Sequence, residues 1–83
     1  MNLASQLIDF INNDVSLDPT MSVQAETDLL LTGLVDSLGV IRIVQWLEDI
    51  EAMEIDPADV ILDNFQTVAQ MIDFVERERV SSA

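Results

Sequence analysis

The side chains that usually do chemistry are mostly missing from this 83-residue chain, which has no His, Cys, Lys or Tyr. A serine nucleophile therefore has no imidazole or lysine amine to take its proton, and a Schiff base has only the terminal amine. Zinc has neither thiolate nor imidazole to bind. Carboxylates remain, but a chain this short rarely encloses the dry cleft that tunes a pair of them as acid and base. Autonomous catalysis is not expected. The informative residues are Gly33-Leu34-Val35-Asp36-Ser37-Leu38, which place an Asp-Ser pair at the head of an amphipathic run. Asp36 in that position caps a helix. Ser37 then falls in the first turn, where unpaired N–H groups and the helix dipole favour an anion.

Helical spacing supplies the elements around this point. Leu3, Leu7, Phe10 and Ile11 predict a first helix from Leu3 to Asn13. Pro19 disfavours a helical residue before it, so Asp14 to Pro19 breaks the pattern. Residues 20–35 form a long connection, which Leu29, Leu30, Leu31 and Leu34 should tie to the core because they are too apolar to leave in water. Glu26-Thr27-Asp28 can cap a turn within it, and Gly33 suits a backbone position barred to other residues. A connection of this length is usually functional. The second helix runs from Asp36 to Met53, with Val40, Ile43, Val44, Leu47 and Ile50 as its apolar stripe. Asp56-Pro57 predicts a short third helix from Pro57 to Leu62. Thr67 and Gln70 have the spacing of a capping box and open a last helix whose apolar face is Val68, Met71, Ile72 and Val75. Arg77 and Arg79 lie toward its negative pole, and Ser81-Ser82-Ala83 should fray. Trp46 is read as core or rim packing, and Met71 as core.

One all-α domain, residues 1–83, follows from the length and from 49% hydrophobic residues with only 5% aromatic. Three basic residues against sixteen acidic ones give a net charge of 3 − 16 = −13. A polyanion repels nucleic acid and anionic membrane surfaces, and it attracts partners with basic patches. No apolar stretch approaches the ~20 residues that span a bilayer. The N-terminal residues do not read as a signal peptide, so the cytoplasm is the expected location.

The run Gly33-x-x-Asp36-Ser37-Leu38 resembles the attachment motif of acyl, aminoacyl and peptidyl carrier proteins. The similarity extends over essentially the whole chain: first helix, long loop, second helix, Glu54-Ile55, short third helix, and Asn64-Phe65-Gln66-Thr67-Val68 leading into the last helix. It implies a four-helix bundle of the acyl-carrier-protein type with a long first loop. It also implies a 4'-phosphopantetheine arm, derived from coenzyme A, on Ser37, flanked by Asp36 and Leu38. Such a monomer carries an acyl or aminoacyl group as a thioester. Its partners would be a phosphopantetheinyl transferase, a loading ligase, and a downstream transferase or synthase. A phosphodiester on Ser37 would sit at the positive pole of the second helix. With no His or Lys to serve as general base for Ser37, a separate enzyme must install it.

Leu38, Ile41 and Gln45, continued by Glu48 and Asp49, share one side of the second helix, and Arg42 borders it. This side begins beside Ser37 and is the expected partner face, with the carboxylates steering a basic partner. Gly39 and Arg42 stand where fatty-acid-synthesis carriers usually have acidic residues. The similarity is thus closer to aminoacyl, peptidyl, D-alanyl-type and specialised acyl carriers, and a small cargo is expected. The alternative is an unmodified acidic interaction subunit of the same fold.

Overall fold

In the computed structural model, residues 2–18 and 20–81 are described. Met1, the helix-breaking Pro19 and the expected frayed end at Ser82 and Ala83 lie outside them. Among the described residues the architecture is all-helical, with four α-helices and no strand. No helix there is long and apolar enough to cross a membrane.

Helix α1, Leu3–Phe10, begins where the Asn2 side chain accepts the Ser5 amide at 2.8 Å. It passes directly into a π-helical turn, Ile11–Val15, closed by Ser16 N–H donating to the Ile11 carbonyl at 2.7 Å. The winding therefore continues two residues past Asn13, the expected end. Leu7, Ile11 and Val15 are buried along it. Within the wide turn, Asn12 Oδ1 accepts the Val23 amide at 2.9 Å, so the turn also anchors the long loop.

Residues 16–35 are held at several points. Leu17 N–H donates to the Leu34 carbonyl at 2.9 Å, Ala69 N–H to Ala25 at 2.9 Å, and Leu29 N–H to Gln66 at 2.8 Å. The expected capping within the loop is present: Thr27 Oγ1 accepts the Gln24 amide at 2.9 Å and Asp28 Oδ1 accepts the Leu31 amide at 2.8 Å. Val23, Leu29, Leu34 and Val35 enter the core. Leu31 does not tie the loop down, contrary to expectation, and is 73% exposed. It sits on the outside of the turn that Asp28 caps and Gly33 closes, with Gly33 at φ +78°, where a side chain would be strained.

Helix α2, Ser37–Glu51, is capped by Asp36, whose Oδ1 accepts the Gly39 amide at 2.9 Å. It stops two residues before Met53 because Ala52 adopts the left-handed conformation, φ 50°. Ile43 and Leu47 are fully buried, with Val40 and Val44 half-buried beside them. Ile50, placed in the stripe by spacing, is exposed instead. After the turn at Ala52, Met53 and Ile55 take over the packing at this end.

The expected helix from Pro57 to Leu62 is two elements. Asp56 caps a 3-10 turn, Pro57–Asp59, by accepting the Ala58 amide at 2.9 Å. Ile61 is extended, as β-branched residues favour, and α3 follows at Leu62–Phe65. Helix α4, Val68–Ser81, opens with the capping box: Thr67 Oγ1 accepts the Gln70 amide at 3.1 Å and Gln70 Oε1 accepts the Thr67 amide at 3.2 Å. Val68, Met71, Phe74 and Val75 are buried from it, and Phe74 meets Phe65 with ring centroids 5.6 Å apart. Ile72, expected on the apolar face, is half-buried. Arg79 pairs with Glu51 and so bridges the C-terminal ends of α4 and α2.

Candidate functional site

Ser37 is the first residue of α2 and is exposed. Asp36 satisfies Gly39 in the first turn, leaving the Ser37 and Leu38 amides without partners inside the helix. The Ser37 hydroxyl makes no hydrogen bond among the described residues. A polar group lies free at a helix N-terminus, where an anion is favoured.

Beside Ser37 a groove of about 640 Å³ opens between α2 and residues 60–65. Val40 and Ile41 form one wall, Val60, Ile61 and Leu62 the other, and Leu30 and Gly33 the loop-side lip. A second depression of about 540 Å³ continues along the same seam, lined by Ile41, Val44, Glu48, Ile55 and Val60. Ile41 and Val60 belong to both, so they form the saddle between them. Sequence reasoning did not anticipate the far wall, because it placed Val60 to Leu62 inside a helix. The unbroken apolar run Val60-Ile61-Leu62 was the available signal, since one face of a short helix cannot bury three consecutive residues.

The expected partner face is solvent-facing at Leu38, Ile41, Gln45 and Asp49, with Leu38 70% and Ile41 51% exposed. Glu48 differs: it is half-buried, and its Oε2 accepts the Ile55 amide at 2.9 Å, which holds the chain where it returns after α2. Arg42, on the opposite flank, donates from Nη1 to the Asp14 carbonyl at the end of the π turn. It meets the negative pole of that helical segment. Trp46 stacks on Phe10 with centroids 5.2 Å apart, which places it in rim packing. Gly39 is buried, and a Cβ there would lie 2.8 Å from Val35 Cγ1 and 2.9 Å from Val15 Cγ1. Glycine is thus required for α2 to approach the loop and the π turn, whatever the cargo.

A scan against protein-family models gave no match, and a search of curated proteins gave none either.

Proposed function

We propose that the chain is a carrier protein that receives a phosphopantetheine arm on Ser37 and presents an acyl or aminoacyl group to partner enzymes. The observation that carries this reading is Ser37 itself: an exposed, unengaged hydroxyl in the first turn of α2, at the mouth of an apolar groove. The chain has no His, Cys or Lys with which that serine could act alone. The order of elements supports an acyl-carrier-type bundle: helix, long anchored loop, capped helix, short helix, last helix.

The residues fit the arm. Its phosphate would lie by the free first-turn amides of Ser37 and Leu38, and the methyl and methylene parts of its stem against Val40, Ile41, Ile61 and Leu62. When bound, the arm supplies a terminal thiol that forms a thioester. Attachment requires attack by Ser37 Oγ on the β-phosphorus of coenzyme A, with release of adenosine 3',5'-bisphosphate. The serine proton passes to a base on the transferase. Leu38, Ile41, Gln45 and Asp49 offer an apolar centre with a charged edge to basic partners: the transferase, a loading ligase and a downstream transferase or synthase. The reading further places the chain as a cytoplasmic monomer.

Incubation with coenzyme A and a broad-specificity phosphopantetheinyl transferase tests the proposal by intact mass. Wild type gains one arm and Ser37→Ala gains none. An unmodified wild type, under conditions that modify a known carrier, favours the alternative of an unmodified interaction subunit.

A further inference from the structure

Ser37, Ile41, Val44 and Glu48 occupy positions i, i+4, i+7 and i+11 of one helix. At 100° per residue they fall within about 40° of Ser37 around the axis, so they form a single stripe along the seam. Its first member is a free hydroxyl, its middle members are apolar, and its last is a carboxylate. Ser37 and Glu48 are separated by about 16 Å of helix rise. An extended pantetheine arm, with two amide units and their flanking carbons, spans a similar length of ~17 Å.

We infer that the Glu48 end of the seam receives a cationic head group, so that the cargo carried on Ser37 is an aminoacyl group with a free ammonium rather than a plain acyl chain. This rests on the carrier reading. Glu48 Oε2 is held by the Ile55 amide, while Oε1 has no partner among the described residues, and the Glu48 side chain lines the depression with Ile41, Val44, Gln45, Ile55 and Val60. The carboxylate is therefore fixed before any ligand arrives, which lowers the ordering cost of binding. A half-buried carboxylate among mostly apolar neighbours attracts a cation more strongly than one in open water. A neutral acyl group of the same size would cover the carboxylate and offer it no partner, so the seam discriminates by penalty as well as by attraction. The general acidity of the chain draws cations everywhere, and Asp49 supplies the control: it is the next residue, carries the same charge, is exposed, and does not line the seam.

The test loads isotope-labelled protein with an alanyl or a propionyl arm, using the corresponding acyl-coenzyme A and a broad-specificity transferase. Amide spectra are compared at about pH 6, below the usual range of an α-amino group. The two cargoes differ chiefly by the ammonium. The alanyl form is expected to shift the Ile55 and Val44 amides relative to the propionyl form. Glu48→Gln keeps an acceptor for the Ile55 amide but removes the charge, and it should abolish the difference. Asp49→Asn should preserve it. Protein that takes the arm but gives the same spectrum with both cargoes overturns this inference alone. So does Asp49→Asn removing the difference as fully as Glu48→Gln. A chain that takes no arm overturns the carrier reading and this inference with it.

Discussion

The two flanks of α2 are built in opposite ways. Toward α1 and the π turn, the helix is pressed close and fastened: Gly39 lets Val15 and Val35 approach, Trp46 stacks on Phe10, and Arg42 reaches the Asp14 carbonyl. Toward residues 57–62 the same helix leaves a seam, with Ile41 and Ile61 about half exposed across it. One flank spends its apolar surface on packing, and the other keeps apolar surface available. Substitutions on the first flank should therefore register as lost stability, and those on the second as changed binding at nearly constant stability.

The largest effect is expected at Gly39. Gly39→Val forces a branched side chain into contacts that already lie below 3 Å for a bare Cβ. It should cost about 2 kcal/mol in urea unfolding, typical of overpacking. A loss below 0.5 kcal/mol would show that this flank is not tightly closed. Next is Arg42→Gln, which removes a cation from the negative pole of the π turn and should cost about 0.5 to 1 kcal/mol. Its effect should shrink as salt is added, and a salt-independent loss would assign Arg42 to packing instead. On the open flank, Ile41→Ser and Ile61→Ser should each change stability by about 0.5 kcal/mol or less, while weakening the loading of an arm-bearing protein by its ligase. A stability loss above ~2 kcal/mol, in the range of core truncations, would mean that the seam is closed in solution.

The smallest effect lies outside both flanks. Asp18 accepts hydrogen bonds from the Thr20 hydroxyl at 2.6 Å and the Thr20 amide at 3.0 Å, and these hold its carboxyl below its ordinary pKa, the hydroxyl contributing most. A depressed folded-state pKa adds stability above the unfolded-state value and loses it as pH falls through the folded-state value. Asp18→Asn should thus be slightly less stable than wild type at neutral pH, and the gap should close in acid. A gap that persists at the lowest pH at which both fold would rule out the charge as its source.

Local signals in the sequence proved legible where they rest on two or three adjacent residues. The Asp36 cap, the Thr67–Gln70 box, and the turns at Thr27 and Asp28 follow from the chemistry of one side chain and nearby amides, and the positive φ at Gly33 follows from the lack of a Cβ. Features set by long-range packing were not legible. Spacing alone puts Ile50 on the buried stripe, but the turn at Ala52 hands its place to Ile55. Leu31 is as apolar as Leu29, and only the direction of a turn separates a 73% exposed residue from a fully buried one. Pro57 announced a helix start but not its break at Ile61, where β-branched residues favour extension. The candidate serine was visible from its neighbours. The far wall of its groove depended on that break, and the roles of Glu48 and Arg42 depended on backbone groups 7 and 28 residues away.

The π turn carries a consequence for how the chain tolerates changes of length. A π turn is an α-helical turn holding one residue more than it needs, and at Ile11–Val15 the surplus sits beside exposed Asn13 and Asp14. Deleting Asn13 would let the segment rewind as ordinary α-helix, so the loss would be absorbed without breaking the helix. The registration of everything beyond would be kept, because Ser16, then four residues after Ile11, would still donate to the Ile11 carbonyl, now as an ordinary α-helical bond. Val15 would stay at the notch beside Gly39, and the Asp14 carbonyl would stay within reach of Arg42. The extra residue therefore works as slack: one residue can be lost at this point without changing the angle at which the long loop departs, or the position of the loop-side lip beside Ser37.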